Sequence, residues 1–279
     1  MNQWIELVLL FFIYSFIGWL WETVYCSLRA GKFMYRGFLT GPYCPIYGFG
    51  ILGVLYFLEP FKGNLILLYF LSALLVTVLE YLTSFVLEKL FHASWWDYKD
   101  VPLNINGRVA LPVSAFWGLA CVLIVRIIHP KILLATDFLT EAFGWILPAA
   151  LIAMILIDLI YTVTNMQAFK HITDEINTVL ETKAKEISES MNARGEVLSE
   201  DVAELKKSIE KGFAERTAKS QSYFEELKKN SEITQRLQRL NLSQRRWIKN
   251  YPNLKLKRID NSETVKQLIT SIKKRTRKM

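Results

Sequence analysis

Residues 40–58 read "TGPYCPIYGFGILGVLYFL", and the fold turns on whether they cross a bilayer. The first eleven hold two prolines and three glycines, residues that disfavour a helix interior. The last eight are apolar, as in a membrane-buried helix. Two accounts fit. In one, Pro45 opens a helix at its first turn, where a missing N–H costs nothing, and the stretch is a tight turn plus a helix start. In the other the entry is broken, and Pro42, Tyr43, Cys44, Pro45 and Tyr47 line a cavity. Irregular backbone survives at membrane depth only where protein or enclosed water satisfies its polar groups.

Further apolar runs lie on either side. A crossing helix needs about 20 mainly apolar residues. Candidate runs cover 4–28, 43–58, 65–87, 109–128 and 142–164, the second being the shortest. The first is too long for a signal-peptide core and lacks a basic start, so it is expected to remain in the protein. Composition then changes. Residues 1–165 hold 9 Lys and Arg against 10 Asp and Glu, whereas residues 166–279 hold 25 against 16. The sequence thus predicts an all-α protein in two parts: a membrane domain of about five helices over 1–165 and a basic helical tail over 166–279.

Lys and Arg set the orientation. None precedes Arg29. The first loop holds Arg29, Lys32 and Arg36, the second only Lys62, the third Lys89, Lys99 and Arg108, and the fourth Arg126 and Lys131. Placing the tail with the richer loops gives an outside N-terminus, a cytoplasmic C-terminus and a multi-pass protein of the cell membrane.

Several chemistries are disfavoured. Cys26, Cys44 and Cys121 are odd in number and form no CxxC, and His92, His129 and His171 are scattered, so no metal site or cofactor is expected. No phosphate-binding loop of the G-x-x-x-x-G-K-[ST] kind is present. Gly48, Gly50 and Gly53 match G-x-G-x-x-G, but without a strand before them they read as helix-packing positions.

Charges inside the apolar runs are costly and mark functional candidates. Glu22, Glu80 and Asp158 each lie six or seven residues before the predicted inner end of a run, which puts all three in one layer about 10 Å from that end. Each also has a bland reading: a carboxylate reaching the headgroups or pairing for structure. The loop "WWDYKDVPLNINGR" (95–108) joins the same layer. Trp95, Trp96 and Tyr98 suit the interface belt, Asp97 lies among them, and Asn104 and Asn106 suit turns. Arg108 can pair with Glu22 or Glu80, hold an anionic solute, or simply anchor the span.

"FIGWLWETVY", "GFLTGPYCPIYGFG" and "WWDYKDVPLNINGRVALPVSAFWGL" resemble a bacterial family of integral membrane proteins, the ABC-transporter permeases of type IV, CmpB-like. The resemblance covers about residues 5–165. By matching position it singles out Gly18, Trp19, Glu22, Gly41, Pro42, Pro45, Tyr47, Gly48, Glu80, Trp96, Asp97, Tyr98, Asn104, Gly107, Arg108, Phe116 and Trp117. It implies membership of that family and brings no substrate; the first expectation is a transport-associated, permease-like, non-enzymatic subunit energised by an ATPase on a separate chain.

In the tail, Ile176, Val179, Leu180 and Ile187 form one apolar stripe, and Val202, Leu205, Ile209 and Phe213 another, after a Ser199 cap. This predicts a helical hairpin or short coiled coil. Residues 228–279 hold 16 basic and 3 acidic side chains, so membrane lipid or an acidic cytoplasmic protein is the expected partner, ahead of nucleic acid. Five spans are few for a whole pathway, so a homo-oligomer is expected. The rival readings are a membrane-anchored scaffold and, less favoured, an intramembrane enzyme acting on lipid headgroups.

Overall fold

A computed structural model describes residues 3–193, 224–225, 227–251, 254–256 and 261–275. The Ser199 cap and the stripe over 202–213 lie outside them, and so does the predicted hairpin or coiled coil. The chain divides into two compact units: Met1–Leu90 with Trp95–Val163, and Phe91–Ser94 with Thr164–Met279.

The first unit is helical, as the apolar runs predict. Helix α1 covers Gln3–Ala30. Gly31, at φ +60°, ends it in the left-handed conformation, and the Lys32 N–H then reaches back to the Ser27 carbonyl. Helix α2 covers Pro45–Phe57, with Pro45 in its first turn. Helix α3 covers Leu65–Phe91 and is capped by Asn64, whose Oδ1 accepts from the N–H groups of Ile66 and Leu67. A short ladder of β2 (Asn104–Ile105) on β3 (Val109–Ala110) leads into α4 (Leu111–Leu123). A π-helical turn at Ile124–Ile128 joins α4 to α5 (His129–Phe143). Pro130 explains the turn, because it cannot donate to the preceding carbonyls. Helix α6 then runs from Ile146 to Ala193 without a break.

Four helices are long and apolar enough to cross a membrane: α1, α3, the joined helix Leu111–Phe143, and α6 over Ile146–Lys183. The expected loop over 129–141 is therefore helical. The expected second span is shorter than predicted, because α2 has only 13 residues. An extended leg over 31–44 precedes α2 and runs back along α1. The Met34 N–H donates to Ser27 Oγ (2.9 Å), the Arg36 N–H to Thr23 Oγ1 (3.3 Å), and the Cys44 N–H to the Ser15 carbonyl (2.9 Å). Partners on α1 thus fall from 27 to 15 as the leg advances, so it retraces about 18 Å of that helix. Helix α2 continues the return for about 20 Å. Gly48 makes this packing possible, since a Cβ there would lie 2.7 Å from the Phe11 carbonyl oxygen.

Leu10, Tyr14, Ile51, Val54, Leu58, Leu68, Cys121, Val125 and Ile132 form the buried apolar cluster at the far end of these helices. The Tyr14 hydroxyl meets His129 Nδ1 there at 2.9 Å.

In the second unit, α7 (Ser231–Gln238), α8 (Leu242–Asn250) and α9 (Ser262–Arg275) form a core with the later part of α6. Phe169, Ile176, Ile233, Trp247, Val265 and Leu268 are buried in it. Asn230 caps α7, and an Asn241–Gln244 capping box opens α8. Strand β1 (Ala93–Ser94) pairs antiparallel with β4 (Lys255–Leu256).

Candidate functional site

The polar layer assembles where the leg, α1, α3 and the 95–110 loop meet. Glu22, on α1, accepts from the Tyr47 hydroxyl at 2.8 Å and from Arg36 Nε at 3.3 Å. The Arg36 carbonyl in turn accepts from Trp19 Nε1 at 3.0 Å. Arg36 is thus fixed from both ends to one face of α1. In the sequence alone Arg36 stands out only as an orientation charge.

Glu80, on α3, accepts from the Tyr98 hydroxyl at 3.1 Å through one oxygen. Its other oxygen, Oε2, is buried without a hydrogen-bond partner among the described residues. Burial pushes the Tyr98 phenol well above the ordinary range, and the charges of Glu80 and Glu22 raise it further, while Arg36 opposes. Tyr98 therefore stays a hydroxyl donor and stands within electrostatic reach of both acids. Two hydrogen-bonded groups result, Glu22 with Arg36 and Tyr47, and Glu80 with Tyr98, and they meet electrostatically at Tyr98.

Of the readings of Arg108, the structure corrects the pairing with Glu22 or Glu80. Arg108 pairs with Glu88 at 3.0 Å instead. Its guanidinium also lies 5.3 Å from the Tyr81 ring centre and 5.5 Å from that of Phe85, which favours a planar cation. The helical spacing of Tyr81, Phe85 and Glu88 was a readable signal for this face of α3.

Asp158 meets the leg. Its carboxylate accepts from the Thr40 N–H (3.0 Å), the Gly41 N–H (2.8 Å), the Tyr43 hydroxyl (2.6 Å) and Thr162 Oγ1 (3.0 Å). Four donors satisfy both oxygens, so Asp158 holds the Pro42 bend against α6. Pro42 itself is exposed at that bend, whereas Cys44 is buried. Pro45 serves as the first residue of α2, as the first account of this stretch proposed. The leg before it is extended, but its N–H groups at Met34, Arg36, Thr40, Gly41, Tyr43 and Cys44 are met by protein acceptors rather than left free as the second account has them.

The 95–110 loop is held largely by its own polar groups. Trp96 Nε1 donates to the Arg108 carbonyl at 2.9 Å. Asp97 accepts from the Lys99 N–H. Asn104 donates to the carbonyls of Lys99 and Val101 and accepts from the Gly107 N–H. Asn106, in the left-handed conformation at φ +54°, donates to the Tyr81 hydroxyl at 3.2 Å. These residues shape the loop, and Tyr98 and Arg108 are what it delivers to α3. No group of three or more His, Cys, Asp or Glu is arranged to hold a metal among the described residues.

Residues 9–163, more than half of the chain, match the family described as Putative ABC-transporter type IV. The chain belongs to this family. No curated protein and no solved structure matches it. The family match contains the Glu22 and Glu80 groups, the Asp158 clamp and the Arg108–Glu88 pair, and it ends before the tail.

Proposed function

We propose that the chain is the membrane-embedded subunit of a transport complex, energised by an ATPase on a separate chain, with the Glu22–Arg36–Tyr47 and Tyr98–Glu80 groups lining the polar part of its path. The observation that carries this is the extended leg that folds back along α1 into the short apolar helix α2. Helices interrupted by extended backbone recur at the binding sites of transporters, because such backbone is tolerated where it lines a cavity. Here the leg brings Arg36 to Glu22, and α2 brings Tyr47 to the same carboxylate.

Glu22 has the Arg36 guanidinium, while Glu80 meets only the Tyr98 hydroxyl and has a buried oxygen without a donor among the described residues. That balance favours a solute bearing a positive charge or N–H donors. The sequence carries no G-x-x-x-x-G-K-[ST] loop, which supports an ATPase on a separate chain. The Lys and Arg distribution supports an outside N-terminus and a cytoplasmic tail in the cell membrane. The small number of spans supports assembly with further copies.

Cross-linking in native membrane, followed by purification, tests this. A P-loop ATPase should co-purify in fixed ratio, and Glu80→Gln should change its turnover without releasing it. A cross-linked complex with no nucleotide-hydrolysing subunit overturns the reading. It would favour a membrane-anchored scaffold instead, which the independent core of the tail unit supports.

A further inference from the structure

Glu22 lies at one end of an aromatic track that starts on the outer surface of the first unit. Tyr47, whose hydroxyl reaches Glu22 at 2.8 Å, lays its ring on α1 where Gly18 leaves room. A Cβ at 18 would come within 2.2 Å of that ring. The ring meets Trp117 of α4 edge-on, with centres 5.2 Å apart. Trp117 meets Phe116 in the same manner, again at 5.2 Å. Phe116 then stacks on Trp21 of α1, with centres 6.1 Å apart and planes inclined by 21°. Trp21 directly precedes Glu22. These rings bridge α1 and α4 between the carboxylate and the surface.

The outer end of the track is open. Trp21 and Phe116 are each 47% exposed, and both stand on helices long and apolar enough to cross a membrane. Trp21 lies nine residues before the end of α1, about 14 Å along its axis, so its exposed face meets acyl chains. Beside it the Glu22 side chain keeps 27% exposure. Tyr47 and Arg36 donate to that carboxylate, which has room for about four donors. Arg36 pairs with Glu22, whereas Glu80 meets only the Tyr98 hydroxyl among the described residues, so the fixed charge around the site leans negative.

We propose that the Trp21–Phe116 stack is a lateral doorway through which a membrane lipid with a primary ammonium headgroup reaches Glu22, its acyl chains staying in the bilayer. Ring faces attract an ammonium group. Its N–H groups fit the spare acceptor positions of Glu22 as charge-assisted hydrogen bonds. The negative lean of the site disfavours an anionic headgroup. The inference rests on the transport reading of the same site and names its substrate class. Lipid binding is measured without an ATPase, so a complex lacking one would leave the lipid site standing, and a lipid that fails to bind would leave the ATPase association standing.

The test uses the full chain in phosphatidylcholine nanodiscs holding a trace of lipid with a photoreactive diazirine high on its acyl chain. Mass spectrometry then maps the labelled residues. A phosphatidylethanolamine probe should label the segments around Trp21 and Phe116 about tenfold more than a phosphatidylglycerol probe. Labelling near Phe138, 68% exposed on the same joined helix, reports bulk lipid and should not differ between probes. Glu22→Gln, which keeps an acceptor for Tyr47 and Arg36, should remove most of the tenfold preference. Phe116→Leu, which keeps an apolar cover but loses the ring face, should weaken ethanolamine-lipid labelling about threefold. Equal labelling by the two probes at Trp21 and Phe116, or a preference that survives Glu22→Gln, overturns the proposal. Free ethanolamine that abolishes the labelling at the probe's own concentration would make the ligand a water-borne amine and overturn the doorway.

Discussion

Removing the guanidinium of Arg108 should cost stability through Glu88 and through no other acid. The two side chains are 16% and 19% exposed and 3.0 Å apart. At about 4 Å between charge centres and an effective dielectric constant near 20, their attraction is about 4 kcal/mol before desolvation. Stacking on Tyr81 and Phe85 adds about 0.5–2 kcal/mol. Arg108→Ala should therefore cost about 3–5 kcal/mol, much of it from leaving Glu88 buried without its cation. Glu88→Gln should be costly in the native background and nearly free, or restoring, when Arg108 is already alanine. The expected coupling is about 2–3 kcal/mol, the upper range for contacting residues. Glu22→Gln and Glu80→Gln should add to Arg108→Ala within about 0.5 kcal/mol, as uncoupled sites do. Reversible unfolding in mixed detergent micelles measures each single and double variant. Coupling below about 0.5 kcal/mol to Glu88, or above about 1 kcal/mol to Glu80, would refute the pairing.

Asp158→Ala strips the acceptor from two backbone N–H groups and a tyrosine hydroxyl and should cost roughly 2–4 kcal/mol; in the same unfolding assay, an unchanged midpoint would remove the clamp role. Gly48→Ala should cost about 1–3 kcal/mol by forcing α1 from α2, while Gly63→Ala, with no heavy atom within 4 Å of its Cβ, should stay within about 0.5 kcal/mol. Equal effects would mean that the α1–α2 contact is not tight. For the orientation, Gly63→Cys should react with an impermeant thiol reagent from outside intact cells and Glu181→Cys should not; the reverse pattern would invert the membrane assignment.

Much of the helical framework was legible because long apolar runs have one economical solution in a bilayer. Glu22, Glu80 and Asp158 were legible as candidates because charge in such runs stands out. What each meets was not legible. Arg36 and Arg108 carry the same formal charge in loops of similar polarity, and nothing local says that one reaches Glu22 and the other Glu88. Those choices are made by the leg folding back along α1 and by the 95–110 loop closing on α3, contacts between residues distant in sequence. Helix α5 was missed for another reason. Lys131, Asp137 and Glu141 read as loop, yet Ile132 and Thr136 lie one turn apart and are both buried. Its polar residues mark one side of a helix rather than a connection.

The extended leg also constrains how the protein can be made. A helix carries its own backbone partners into lipid, but the leg does not. Its Met34 and Arg36 amides depend on Ser27 and Thr23, and its Arg36 carbonyl on Trp19. Released alone into hydrocarbon, each unpaired group would cost several kcal/mol. During synthesis, α1 must therefore wait beside the translocation channel until residues 31–57 have emerged. The three pieces enter the bilayer as a single cargo, and α1 acts as an intramolecular chaperone for the strand that follows it.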